Sequence, residues 1–163
     1  FSQMPLQRDR SSQQPNQSTS NEEKPQTDSS KIEKQTGGKS LSLENQNLTQ
    51  IPSSVFTQRS LEHLNVSHNR LGGAIQGEIR FLQNLRTLDV SDNQMTGVPA
   101  EIGQLQKLEV LDLSNNQLTG LPYELGNLKN LRELNLSGNT YAEADLEIIK
   151  KSLPPTVVII TNE

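Results

Sequence analysis

Two histidines, His63 and His68, are the side chains of this 163-residue sequence best suited to proton transfer or metal binding. No His-Glu-x-x-His pair accompanies them, and no Ser, Cys or carboxylate is arranged with them as a nucleophilic triad. Gly72-Gly73 lacks the Lys-Ser/Thr that a phosphate-binding loop needs. The chain has no cysteine, which excludes disulfides and thiolate metal sites. The sequence therefore predicts no catalytic residue, no metal site and no cofactor, and the histidines are interpreted as surface residues.

The overall composition narrows the class of protein further. Hydrophobic residues make up 31% of the chain, charged residues 21%, and the net charge is −4. This balance suits one domain with a modest core. No apolar run approaches the roughly 18 residues of a membrane span, and the mild acidity gives no reason to expect nucleic acid as a partner. Neither membrane-spanning nor nucleic-acid-binding functions are expected.

The first 40 residues differ in composition from the rest of the chain. Their apolar side chains are only Phe1, Met4, Leu6 and Ile32, among mostly Gln, Ser, Asn, Thr, Pro, Lys and Glu. Such a segment cannot bury enough apolar surface to offset its conformational entropy. Residues 1–40 are therefore predicted to be a disordered tail, and residues 41–163 the folded domain. Because the chain starts with Phe and not Met, we expect upstream residues that either were removed by processing, for example with a signal peptide, or lie outside this sequence.

A single repeat organises the remaining residues. An apolar-x-apolar triplet recurs with spacings of 23, 24, 23, 23 and 23 residues, starting at Leu41, Leu64, Leu88, Leu111, Leu134 and Val157. Three residues after each triplet comes one polar amide, namely Gln46, Asn69, Asn93, Asn116, Asn139 and Asn162. Alternation within each triplet predicts a short strand with one buried face, and stacked strands would form a parallel sheet. The Asn side chains are predicted to form a structural ladder that satisfies backbone groups where the chain leaves each strand.

The full repeat reads L-x-x-L-x-L-x-x-N-x-L-x-x-L-P-x-x-L-x-x-L, and residues 41–163 therefore resemble the leucine-rich-repeat family. The resemblance implies an α/β fold: a right-handed solenoid of about five repeats and a terminal strand. Its parallel sheet would be concave, and its convex side would carry short helices or coil. It also implies a non-enzymatic module that binds another protein.

Two repeats depart from this pattern. The second has an extra residue within Leu71-Gly72-Gly73-Ala74-Ile75, where we expect a local bulge, and lacks proline at Gln76. In the fifth, apolar residues at i, i+3 and i+7 predict a convex amphipathic helix over 143–153.

The outward positions of the strands are predicted to form a polar, centrally acidic concave strip that docks a protein partner with basic residues. The alternative is a solvated face without a ligand. The strip comprises Asn65, Ser67, His68, Asp89, Ser91, Asp92, Asp112, Ser114, Asn115, Asn135 and Ser137, with Glu62, Arg86, Glu109 and Arg132 beside it.

The last triplet suggests a different function. Val158 and Ile160 occupy outward positions that earlier repeats fill with polar residues. The exposed strand Val157 to Ile160 could serve structural self-association, although a monomer is expected, and the domain could also be the recognition part of a larger receptor or signalling protein. A cysteine-free repeat behind a polar tail resembles bacterial members of the family. Export or attachment to the cell envelope is favoured, with cytoplasmic residence as the alternative.

Overall fold

The computed structural model describes residues 39–162, so the disorder predicted for the tail falls almost entirely outside the described residues. The first strand nevertheless begins at Ser40, inside the predicted tail. The Lys39 carbonyl also accepts hydrogen bonds from the backbone N–H groups of Glu62 and His63, at 2.8 and 2.9 Å. The predicted boundary after residue 40 is therefore too late, because polar residues can join a strand through their backbone alone.

Short parallel strands are the main element of the described residues, and five of them consist of a buried residue between two more exposed ones. Eight strands occur in residues 39–162: β1 (Ser40–Ser42), β2 (His63–Asn65), β3 (Gly72–Gly73), β4 (Thr87–Asp89), β5 (Gln94–Met95), β6 (Val110–Asp112), β7 (Glu133–Asn135) and β8 (Val158–Ile160). Six of them form a parallel sheet in the order β1-β2-β4-β6-β7-β8. This is the predicted α/β solenoid architecture.

The register of the last strand differs from the predicted one. Ile159 pairs with Leu134, so the final spacing is 159 − 134 = 25 residues instead of the 23 that would align Val157. The return segment is longer here because it contains the helix α1 (Glu143–Lys150) and then Pro154, whose carbonyl accepts the Val157 N–H at 3.2 Å. A shift of two residues preserves the alternation of faces, so Val158 and Ile160 still point outward.

The convex return segments are short 3₁₀ helices in the first four repeats and α1 in the fifth. The 3₁₀ helices span Ser53–Thr57, Gly77–Phe81, Ala100–Gln104 and Tyr123–Asn127. Pro52, Pro99 and Pro122 precede three of them, where a fixed φ suits entry into a helix. The helix α1 buries Leu146 and Ile149, as the amphipathic pattern predicts.

Columns of aliphatic side chains fill the space between the sheet and the return segments. Leu64, Leu88, Leu111 and Leu134 are at most 1% exposed. No repeat can enclose its own apolar side, so burial depends on the neighbouring repeats and stability is shared along the stack.

The extra residue of the second repeat, expected to form a bulge, is accommodated in β3. Gly72 and Gly73 pair in parallel with Gln94 and Met95 of β5, and Gly73 has φ +63°. Glycine tolerates this left-handed conformation without steric cost. The side chain of Gln76, which replaces the proline, donates from Nε2 to the Ile51 carbonyl at 2.7 Å and ties this loop to the first repeat.

Candidate functional site

Buried asparagines connect each repeat to the one before it. The Asn116 side chain donates from Nδ2 to the carbonyls of Val90, Leu113 and Ser114 at 3.1, 3.1 and 3.2 Å. Its Oδ1 accepts the Met95 N–H at 3.0 Å. Equivalent contacts are made by Asn69, Asn93 and Asn139. Two of the four contacts of Asn116 reach the preceding repeat, so the side chain satisfies backbone groups that no strand ladder reaches.

Asn162 does not belong to this ladder, contrary to the prediction. The register of β8 places it two residues short of the ladder position, and it is exposed. It instead accepts the Gly138 N–H and donates to the Asn139 carbonyl, at 2.5 and 2.8 Å. The predicted alignment failed here because it assumed a constant repeat length.

Three predicted binding residues lie in a column whose backbone is left-handed. His68, Asp92 and Asn115 have φ of 55°, 54° and 53°, and Gly138 continues the column at 74°. Asn, Asp, His and Gly are the residue types most often found in this conformation. The turn geometry alone is therefore sufficient to explain these residue types. The position of the column beside the concave face still leaves the exposed side chains of His68 and Asn115 open to a partner.

The serines predicted to face outward are largely buried. Ser67, Ser91 and Ser114 are 2%, 7% and 6% exposed, which corrects the prediction that they lie on the open strip. Both the N–H and the Oγ of Ser91 donate to Asp89 Oδ1, at 2.9 and 2.6 Å. The repeat uses the same turn for the pairs Asn65–Ser67, Asp112–Ser114 and Asn135–Ser137. The hydroxyl group of each serine is therefore already hydrogen-bonded to the side chain two residues before it.

The open concave face consists of two columns of outward strand residues. A groove of about 440 Å³ crosses β1, β2, β4 and β6 and includes His63, Asn65, Asp89, Val110 and Asp112. Asp89 and Asp112 are direct partners in the sheet register, so their strands lie about 4.8 Å apart. The two adjacent carboxylates make the centre of the face negative.

The two histidines have separate neighbours. His63 Nδ1 lies 2.7 Å from Thr87 Oγ1, and His68 Nε2 lies 3.5 Å from Asp92 Oδ2. Within residues 39–162, no group of three or more His, Cys, Asp or Glu side chains is placed to hold a metal ion.

The four flanking residues lie in a different groove from Asp89 and Asp112. Glu62, Arg86, Glu109 and Arg132 line a groove of about 620 Å³ together with Asn84, Lys107, Lys129, Asn130, Leu131, Pro154 and Thr156. This edge groove follows the side of the solenoid where the return segments enter the strands. The prediction grouped the four residues with the concave strip because they adjoin it in sequence.

An ion-pair chain crosses the edge groove. Arg86 donates from Nε and Nη2 to Glu109 Oε2 at 2.9 and 2.7 Å, and Arg132 Nη1 lies 3.7 Å from Glu109 Oε1. The hydrogen bond from Arg86 and the charge of Glu109 raise the pKa of the Arg86 guanidinium above its ordinary value. Arg86 is therefore fixed in place by Glu109.

Several residues of the edge groove were not among the predicted binding residues, although their spacing in the sequence indicates that they form columns. Asn84, Lys107 and Asn130 recur at 23-residue intervals, as do Arg86, Glu109 and Arg132, so both sets form columns along the stack. On the concave face, the predicted binding residues do not include His63, Thr87 and Val110, although each precedes a buried strand leucine and faces outward.

Comparisons with known proteins agree with this fold. The family model for the leucine rich repeat matches residues 39–95 and 83–140, and no curated protein matches significantly. A leucine-rich-repeat protein of Leptospira interrogans is 40% identical with a TM-score of 0.63, covering 68% of this chain and 28% of its own. The BIR3–SERK2 complex of Arabidopsis thaliana contains a chain 34% identical with a TM-score of 0.60, covering 75% of this chain and 66% of its own.

A third structure shows the fold alone: internalin C2 of Listeria monocytogenes is 22% identical, with a TM-score of 0.62, over 76% of this chain and 51% of its own. The chain belongs to the leucine-rich-repeat family, whose domains generally act as non-enzymatic protein-interaction modules. It spans 28% of the length of the Leptospira protein and about two thirds of the Arabidopsis one. Within residues 39–162, no helix has the length and hydrophobicity needed to cross a membrane.

Proposed function

We propose that the domain binds a protein partner through its concave face, and that basic side chains of the partner pair with Asp89 and Asp112. The observation that carries the proposal is the groove across β1, β2, β4 and β6, in which these two carboxylates are adjacent on β4 and β6. The outward positions of the six strands contain three carboxylates, those of Asp89, Asp112 and Glu133, and no Lys or Arg. A Lys or Arg side chain would relieve the repulsion between neighbouring carboxylates.

The turn contacts prepare these carboxylates for binding. Ser91 and Ser114 hold Oδ1 of Asp89 and Asp112, whereas Oδ2 of each accepts no hydrogen bond among residues 39–162. The side chains are therefore held in one orientation before a partner arrives, which lowers the entropy cost of binding. Val110 lies in the same groove and offers an apolar surface to the aliphatic stem of a Lys or Arg.

Asparagine substitutions test this proposal without disturbing the turn. Asn65 and Asn135 hold the same serine contacts as the two aspartates, so Asp89→Asn with Asp112→Asn removes charge and retains the Oδ1 acceptor. The control is Glu78→Gln with Glu124→Gln, which removes two exposed carboxylates from the convex side. Proteins retained by the immobilised full chain would be quantified for each variant.

We expect partners of the wild-type chain to lose about tenfold in affinity for the concave double variant, and to change less than twofold for the control. Equal retention by both double variants would reject the concave face as the docking surface.

Self-association through β8 is a second candidate. Val158 and Ile160 are 58% and 37% exposed, and β8 is the last strand of the sheet, with one edge unpaired within the described residues. Light scattering on the full chain across a concentration series distinguishes the two functions. A dimer that Val158→Lys dissociates supports self-association, and a monomer at every concentration removes it. Either function could operate in a larger receptor or signalling protein, since the matched structures are longer than this chain.

A further inference from the structure

The edge groove carries a charge opposite to that of the concave face. Its cations are Arg86, Lys107, Lys129 and Arg132, and its anions are Glu62 and Glu109. The lining therefore has a formal charge of +4 − 2 = +2, in a chain whose net charge is −4. A basic groove on an acidic protein is a distinct surface, which the proposed binding to the concave face does not use.

Arg132 is more accessible to a ligand than Arg86, the other arginine of this groove. Glu109 is committed to Arg86 by two short hydrogen bonds, and its contact with Arg132 is 3.7 Å, too long for a hydrogen bond. The Arg132 side chain is 77% exposed. Its guanidinium therefore keeps its donors available for another carboxylate, which it can hold through two parallel hydrogen bonds.

Two lysines line the same groove as Arg132. Lys107 Nζ donates to Asn84 Oδ1 at 2.8 Å, and Lys129 Nζ donates to the carbonyls of Ser152 and Gly126 at 2.8 and 3.1 Å. These contacts are made with neutral groups, and neither ammonium group forms an ion pair with a residue in 39–162. They also hold the charges over the groove and reduce the side-chain entropy that binding would cost.

The alternation of charge favours an acidic protein segment over a uniform polyanion. Glu62 and Glu109 lie among the cations, and a densely charged sugar or nucleic acid would meet both of them. Separate carboxylates on a peptide can pair with Arg132, Lys107 and Lys129 and avoid the glutamates. Pro154, which is partly exposed, adds apolar surface for the rest of such a segment. We propose that the edge groove binds an acidic segment of a protein partner, with Arg132 as the principal carboxylate-binding residue.

The test uses the isotope-labelled full chain and a short peptide in which Glu alternates with Ser. Nuclear magnetic resonance titration would locate the binding surface, and a matched peptide with Gln in place of Glu reports the part that depends on charge. Arg132→Glu and Lys107→Glu are the groove variants. Arg70→Glu is the control, because it makes the same charge change at an exposed arginine outside the groove. Thermal melting checks that every variant is folded.

We expect shifts at Arg132, Lys107 and Lys129, about tenfold weaker binding for Arg132→Glu, and less than a twofold change for Arg70→Glu. If Arg132→Glu and Arg70→Glu weaken peptide binding equally, the attraction depends on overall charge and not on the groove, and the proposal is overturned. The same follows if the Gln peptide binds as well as the Glu peptide, if no binding occurs, or if shifts fall outside the groove. A sulfated oligosaccharide that binds the groove more tightly than the peptide would also overturn the choice of a protein segment.

Discussion

Replacing Asn116 with alanine tests the buried ladder directly. The substitution removes the acceptor of the Met95 N–H and the donor to the Val90 carbonyl, both in the preceding repeat, as well as two contacts within its own turn. Asn116 is 7% exposed, so water cannot readily replace these contacts. A buried backbone group left without a partner costs about 1–3 kcal/mol. Two such groups, partly relieved by local relaxation, give an expected loss of about 3 kcal/mol.

Chemical denaturation of the full chain would measure this loss as a lower midpoint, and thermal melting should fall by roughly 10 °C. Gln117→Ala is the matched control, because its side chain is exposed in the same turn and its loss should cost less than about 0.5 kcal/mol. If Asn116→Ala unfolds with the same midpoint as Gln117→Ala, the ladder does not contribute to stability and the argument for its role is wrong.

Two further predictions concern the backbone and the response to pH. Gly138 and Gly73 both have positive φ, but a Cβ on Gly138 would also collide with the Asn115 side chain, whereas Gly73 faces open space. Gly138→Ala should therefore cost at least about 1 kcal/mol more than Gly73→Ala in denaturation experiments, and equal costs would contradict the close packing at Gly138. Burial, and secondarily the charge of Glu143, raise the pKa of Tyr141 in the folded chain. The stability that Tyr141 contributes is therefore complete below the pKa of about 10 that tyrosine has in the unfolded chain, and it is lost as the pH rises through the higher pKa of the folded chain. Denaturation midpoints should fall less steeply above about pH 10 in Tyr141→Phe than in the wild type, and identical slopes would refute this.

The repeat architecture could be predicted because each buried leucine is specified several times by the same spacing. Leu64, Leu88, Leu111 and Leu134 share one register, and all are buried. The last strand was misplaced by two residues because α1 lengthens its return path, and apolar residues at 157 and 159 both satisfy the inward pattern. Periodicity determines which face a residue occupies more reliably than which neighbour it has.

The composition of the candidate sites was harder to predict. Ser91 and Ser114 have the alternation of surface residues, but their hydroxyls hold the Asp89 and Asp112 carboxylates. A linear pattern shows that such a residue is polar without showing which of its atoms are already bonded. The sequence shows that Arg86 and Arg132 are charged, but their separation from the concave face depends on how the return segment enters the strand.

The direction of the asparagine contacts also affects how the chain acquires its structure during synthesis. Asn116 supplies the partners of Met95 and Val90, which lie 21 and 26 positions earlier. As the polypeptide leaves the ribosome, one coil cannot complete its hydrogen bonding until the strand and turn that open the next coil have emerged. Assembly therefore trails translation by about one coil, and a ribosome paused between two of them would expose an unfinished end to chaperones.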